Sequence, residues 1–279
     1  MINMSLNNEG VVSAPNIIET DISDFILSIS PENLYVRGMK ETIVTNGLVT
    51  WHPLNLDNLY DHTSNNNNGT NHGTTFVAGM NGGARHFIRT GDYSGDYISL
   101  PTQNFGISGN ASVTISAWFK TSSDVAQSVV AFGYGTSKST FSIFINLTGL
   151  GQIICGYQSG IIFSSSTGLF DLDAWTHVAI TKTPGAINTN TNIYLNGAHI
   201  SGSSITTDNP NFNFSYGEIG SWDNGSMYFF DGSIFDIRLY DRVLSLSEIN
   251  IIKEISSGST KMKLIPDSGV TVSGSFKEV

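Results

Sequence analysis

The chain has 279 residues and sets 13 lysines and arginines against 23 aspartates and glutamates, for a formal net charge of -10. Binding to nucleic acid or to an anionic membrane surface draws on clustered basic side chains, so both partners are excluded. Charged residues make up only 13% of the chain while Gly, Asn, Ser and Thr abound, which is the usage of a turn-rich β protein and not of a helical bundle.

Cys155 is the single cysteine, which excludes an intramolecular disulfide and a cysteine-based zinc cluster. Its setting, "GQIICGYQ", reads as that of a buried small hydrophobe. The opening stretch "MINMSLNNEGVVSAPN" has neither the basic residues nor the apolar run of a secretion signal, and no segment approaches the ~20 apolar residues of a membrane span. The expectation is a soluble chain with no secretion address.

In chain order, residues 1–46 hold no period for more than a few residues and are read as an arm, packed on something beyond itself, such as a neighbouring subunit. From Leu48 onward, short alternating runs recur between turn signals: "LVTWHPL", "DYISLP", "SVTISAWFK", "SVVAFGY", "FSIFINL", "QIICGYQ", "HVAITKT", "NIYLNG", "GEIGSW" and "SIFDIRLY". Such strands predict an all-β, two-sheet antiparallel sandwich or barrel. In "SVTISAWFK", Val113, Ile115, Ala117 and Phe119 share one face and Thr114, Ser116 and Trp118 the other, so this strand is expected to be central and covered on both sides.

The segment "LSLSEINIIKEI" predicts one short C-terminal helix over about 246–255. Ser245 and Glu248 have the spacing of a capping box, and Leu246, Ile249, Ile252 and Ile255 form an apolar stripe. The remainder, 257–279, runs through a Ser/Gly-rich link into the alternating "GVTVSGSF", a strand-like tail able to join this sheet or a partner's.

Five stretches, taken together and in order, resemble the laminin G-like jelly rolls of the concanavalin A-like lectin and glucanase superfamily. "DHTSNNNNGT" looks like that family's Asp-x-Ser-Gly-Asn-x-Asn-x-Gly loop, "GARHF" like its Gly-x-x-Leu-x-Phe strand, and "SVTISAWFK" like its Phe-Thr-Ile-Ser-Ala-Trp strand. "WTHVAIT" with "IYLNG" resembles its Trp-x-His-Val-Ala hairpin, and "FDGSIFDIRLYDRVLSLSEI" its closing strand and helix. The resemblance spans residues 47–256 and leaves the arm and the tail outside it.

It implies that Trp175 packs in the core and that His177 makes a structural contact. The residues agree on His177, since no second histidine or carboxylate stands at a spacing that would complete a metal site. The resemblance also implies a structural Ca2+ site, for which Asp61, Asn66 and Asp236 are the candidate ligands, because hard cations take carboxylate and carbonyl oxygens. The family has Ile-Asp-Glu or Ile-Asp-Asp where this chain reads Ile234-Phe235-Asp236, so one acid is replaced by phenylalanine. The competing reading of the loop Asp61 to Gly69 is an Asx-rich turn held by its own side chains.

Glucan-cleaving members place carboxylates at alternate positions along one strand, and no Glu-x-Asp-x-Glu run occurs here. The nearest acidic pairs, Asp231 with Asp236 and Asp92 with Asp96, have odd or loop spacing, so no catalytic residue is assigned. Sugar recognition calls for exposed aromatic rings beside amides or carboxylates on loops of a rigid scaffold. "GSWDNGSMYFF" offers Trp222, Asp223, Asn224 and Tyr228 as ligand-binding candidates, against the plainer reading that Trp222 covers a sandwich edge. The Asn-x-Ser/Thr sequons at Asn68, Asn110, Asn146, Asn213 and Asn224 are expected by chance in such a composition.

The expected function is that of a non-enzymatic structural and binding protein. It would be a virion component (phage capsid, fibre or tail) or a surface component, displaying a lectin-like jelly roll for host glycan adhesion or decoration. Its partners would be a glycan and other protein subunits, reached through residues 1–46 and 257–279, in an oligomer or larger assembly. The alternatives are a free secreted carbohydrate-binding module and a glycan-cleaving enzyme.

Overall fold

The computed structural model describes residues 44–102, 105–133, 138–157 and 162–257, together with the backbone of a few short strands outside them. The chain divides into two compact units, Asn46–Ser257 and a second made of Met1–Thr45 with Gly258–Val279. In the second unit, Ser5–Leu6 pairs with Val12–Ser13, and Phe25–Ile26 pairs with Lys277–Glu278, both antiparallel. The predicted strand "GVTVSGSF" lies outside the described residues.

Asn46–Ser257 is a sandwich of two eight-stranded sheets. In the first, the order runs Ala198–Ile200, Thr191–Leu195, Thr176–Lys182, Val113–Thr121, Gly232–Tyr240, Ala84–Phe87 and Thr75–Val77, and Leu48–His52 also pairs with Gly232–Tyr240. In the second it runs Gly202–Ser203, Ile162–Ser165, Ile153–Gly156, Phe141–Ile145, Gln127–Phe132, Gly217–Ile219, Tyr97–Ser99 and Thr70–His72. Each of the ten alternating runs read from the sequence contains a strand of these sheets.

The alternation of Val113–Thr121 sends Ile115 and Phe119 into the core between the sheets, where they join Phe87, Phe132, Ile180 and Ile237. Thr114, Ser116 and Trp118 point outward and are buried as well. The helix Leu246–Ser256 meets that outer face. Trp118 Nε1 donates to Ser256 Oγ at 2.8 Å, while Ile249 and Ile252 are buried. Leu246, placed on the apolar stripe by sequence, is instead exposed in the first turn. The capping box is present, with the Ser245 hydroxyl accepting from the Glu248 N–H and the Glu248 carboxylate accepting from the Ser245 N–H. A four-residue helical turn, Ile187–Asn190, was not expected from the sequence.

Trp175 departs from expectation. It is only partly buried and packs against Phe235 at 6.3 Å, in a small cluster with Trp118 and Ala84 on the outer side of the first sheet. It precedes Thr176–Lys182, so the sandwich interior is reached by Val178 and Ile180 and not by the indole.

The long strand Gly232–Tyr240 carries a bulge. Its register to Val113–Thr121 shifts between the pairs Trp118/Phe235 and Ser116/Arg238, and Asp236 there has a left-handed φ of 51°. Such a bulge re-aims side chains. Ala84–Phe87 pairs with this strand on one side of the bulge and Leu48–His52 on the other, and the Asp236 N–H donates to Pro53 O between them.

Candidate functional site

The loop after Gly217–Ile219 carries all four residues singled out for ligand binding. Trp222 and Met227 exchange backbone hydrogen bonds at 3.0 and 3.2 Å, which closes a tight hairpin with Asp223, Asn224 and Gly225 at its tip. These three have φ of 62°, 62° and 67°, a left-handed stretch that Asp, Asn and Gly tolerate best. Gly225 is also required for space, since a Cβ there would come within 2.5 Å of the Tyr97 ring.

Beneath the tip lies Glu218, only 2% exposed. Its carboxylate accepts from Ser221 Oγ at 2.7 Å, from the Gly225 N–H at 2.8 Å and from the Asn224 N–H at 3.1 Å. Burial pushes its pKa above the ordinary carboxylate range, these three bonds pull it back, and the nearby charge of Asp223 pushes it up again.

Trp222 and Tyr228 are brought together, with ring centroids 5.9 Å apart, and both lie edge-on to the buried Phe144 at 5.9 and 5.3 Å. Tyr228, whose carbonyl accepts from the Ser128 N–H, also lines a cleft of about 310 Å³. Three chain segments meet there: Arg89, Asp92 and Tyr93 from one hairpin, Val125 and Ala126 from the loop before Gln127–Phe132, and Met227 with Tyr228. Tyr93 is 77% exposed at the rim, and Arg89 is ion-paired to Asp92. Arg89 and Tyr93 were not picked out from the sequence. The signal available was an aromatic inside the turn-rich "GDYSGDY", a position where packing does not demand one.

Among the described residues lining the cleft, Asp92 is the single carboxylate. Its partner in the pair considered from sequence, Asp96, accepts the Ile88 N–H at 3.0 Å and braces the same hairpin.

The three candidate metal ligands are engaged by the protein itself. Asp61, 7% exposed, accepts the N–H groups of Trp51, Thr63 and Asn67 and the hydroxyl of Thr63. Burial would raise its pKa, but these four bonds outweigh it and hold the carboxyl below its ordinary value. Asn66 is exposed, with φ 56°, and its amide donates to Ser64 O. Asp236 accepts the Trp51 indole N–H at 2.6 Å and both of its oxygens meet Arg238 Nε, at 3.1 and 3.2 Å. The Arg238 guanidinium lies 4.4 Å from the centroid of the Trp51 ring. This arrangement does not fit a calcium ion: the acceptors of Asp61 are filled by donors of its own loop and by the Trp51 N–H of the first strand, and Asp236 already has a cation.

His177 is fully buried beside Trp118, with ring centroids 5.2 Å apart, and neither ring nitrogen has a hydrogen-bond partner. Burial, helped by the charges of Arg238 and Lys253, lowers its pKa to about 3, so it stays neutral. With no acceptor or carboxylate to orient it, the ring has no equipment for general base work. Cys155 is also fully buried in the core, where burial pushes its thiol pKa up.

A family model described as "Concanavalin A-like lectin/glucanases superfamily" matches residues 91–250. No curated protein matches the chain. Among solved structures, domain 4 of AbnA, a GH43 extracellular arabinanase from Geobacillus stearothermophilus, in complex with arabinotriose, is similar at TM-score 0.55 and 19% identity, covering 74% of this chain and 98% of that one. The binding domain of botulinum neurotoxin serotype G is similar at TM-score 0.57 and 14% identity, covering 76% of this chain and 52% of that one. A third structure, from work on botulinum neurotoxin type C, whose cell entry depends on two ganglioside molecules, is similar at 0.56 and 16%, covering 75% and 51%. The aligned part of this chain thus spans about half of each toxin chain, and at these identities the likeness is one of fold.

Proposed function

Because the chain belongs to the concanavalin A-like lectin/glucanases superfamily, we propose that its jelly roll is a non-catalytic glycan-binding module. The observation that carries this reading is the cleft. An exposed Tyr93 stands at its rim with Tyr228 in its lining, and the Arg89–Asp92 pair supplies polar groups for hydroxyls. Trp222, whose ring centroid lies 5.9 Å from that of Tyr228, and Asp223 with Asn224 belong to the hairpin that brings Met227 and Tyr228 to the cleft. Two carboxylates flanking one bond, which glycoside cleavage needs, are not among the described cleft residues. The named ligands of the similar structures, arabinotriose and gangliosides, support a saccharide as the ligand class.

The test is a glycan array followed by calorimetric titration of the best neutral hit and of arabinotriose. Tyr93→Ala should weaken binding by about tenfold or more, as loss of an aromatic ring that stacks on the sugar does. An array without hits, or a Tyr93→Ala variant that binds like the wild type, overturns the assignment.

A second reading concerns residues 1–46 and 257–279. The pairing of Phe25–Ile26 with Lys277–Glu278 joins the two segments, which supports treating them as one mounting unit for other subunits. Display on a virion or a cell surface would follow from such a mount. Solution mass of the full chain against residues 46–257 tests it, and two monomers would remove the reading.

A further inference from the structure

Two walls of the cleft are held from beneath by buried polar side chains. One is the hairpin Trp222–Tyr228 over Glu218. Glu218 sits in the middle of the second sheet, opposite Ser99 on one neighbouring strand and Ala131 on the other, and the loop delivers two backbone N–H groups and a hydroxyl to it. The other wall is the loop ending in Val125 and Ala126. There the fully buried Gln127 donates through Nε2 to the carbonyls of Val125 and Ser123, at 3.2 and 3.3 Å, and accepts the Asp231 N–H through Oε1 at 2.7 Å. The next residue, Ser128, donates its N–H to the Tyr228 carbonyl at 2.8 Å and so ties the second wall to the first.

A carboxylate kept out of water is unfavourable unless its acceptor capacity is filled, and here the partners that fill it are the loop's own donors. Asp223, Asn224 and Tyr228 hold left-handed backbones that a free chain seldom keeps, so something must hold them there. We infer that Glu218, with Gln127 as its counterpart on the facing wall, is a positioning residue that forms the cleft before a saccharide arrives. The inference rests on the glycan-binding reading of the same cleft. Its physical content is preorganisation: a loop ordered in advance does not have to be ordered by the ligand.

The experiment is residue-resolved amide hydrogen exchange on the full chain, wild type and Glu218→Gln, alongside titration with arabinotriose and the array's best neutral hit. The glutamine is nearly isosteric but carries an NH2 group in place of one carboxylate oxygen, so one of the two loop N–H groups, which go to different oxygens, meets a donor where it had an acceptor. Exchange at Asn224 or at Gly225, whichever faces the NH2 group, should accelerate by about tenfold or more, the loss of one hydrogen bond to a charged group. Amides of Val113–Thr121 should be unaffected, and saccharide affinity should fall with the loop's protection. If Glu218→Gln does not fold, Ser221→Ala removes one of the three bonds and should give a smaller acceleration at the same amides.

An unprotected Gly225 amide in the wild type overturns the inference. So does equal acceleration throughout the sandwich, which would make Glu218 merely structural, or an unchanged loop in Glu218→Gln. If the loop alone opens but the wild type binds no saccharide, the anchoring stands and the glycan reading fails.

Discussion

The indole N–H of Trp51 reaches Asp236 at 2.6 Å, joining the first strand of the sandwich to its last. Arg238 stacks on the same ring and pairs with the same carboxylate, so one buried cation serves both partners. Adding calcium, or removing it with a chelator, is therefore expected to leave the melting temperature unchanged. A clear calcium-dependent rise would show that Asp61 and Asp236 can be drawn away from their present donors.

The same network predicts a large effect for Arg238→Ala. Asp236 would be left as a buried carboxylate with its ion-pair partner gone, a change that typically costs about 3–5 kcal/mol. Chemical denaturation measures it, and a loss below about 1 kcal/mol would mean that the pair is solvated in solution.

Stability should fall in mild acid because of two buried histidines. Burial, partly offset by Asp61 and the Leu59 backbone, lowers the His52 pKa to about 4, and burial lowers that of His177 to about 3. The unfolded chain takes up protons below about pH 6.5 that the folded chain refuses. Their contribution is thus fully present above that pH and is lost as pH drops toward 4 and 3. Each histidine adds about 1.4 kcal/mol per pH unit to the slope within its window. Denaturation of His177→Phe at several pH values should show the slope reduced by that amount, and an unaltered slope would place the titration elsewhere.

On the glycan-binding proposal, charge should favour neutral saccharides. The chain carries a formal charge of -10, and the cation of the cleft, Arg89, is already paired with Asp92. Sialyllactose should bind more weakly than a neutral oligosaccharide of the same length. Asp92→Asn, which frees the guanidinium, should strengthen sialyllactose binding by about threefold, the modest scale of a surface pair. Preference for the sialylated sugar in the wild type would contradict this.

The closing helix depends on its cap. Ser245→Ala removes the hydroxyl that accepts the Glu248 N–H and should cost about 1 kcal/mol. Glu248, held down to about 2 chiefly by its bond to Arg242, keeps its own contact with the Ser245 N–H, so the loss should not exceed that of a single cap.

The strands could be read because alternation and turn residues are local signals. Val113–Thr121 showed both faces in its own letters, and Ser245 with Glu248 announced the helix. Trp175 was misplaced because a motif gives a residue's neighbours in sequence and not the side of the sheet on which its ring comes to rest. The cleft was legible only in part. Tyr228 stood in a recognisable loop, but Tyr93 and Val125 reach it from segments far apart in the chain, and periodicity says nothing about which loops meet. Glu218 was hidden for another reason: in "GEIGSW" it looks like an outward strand residue facing water, and only the fold puts a hairpin over it.

The pairing of Leu48–His52 with Gly232–Tyr240 has a mechanical side. Leu48 lies opposite Tyr240, the Asp241 N–H donates to Gly47 O, and Arg242 Nε donates to Asn46 O. The chain enters and leaves the sandwich at the same end of two antiparallel strands. Tension applied there, once the helix Leu246–Ser256 has peeled away, loads that ladder one hydrogen bond at a time, as a zipper is opened, and not all together in shear. A module so closed would resist heat through its core yet yield to a modest pull.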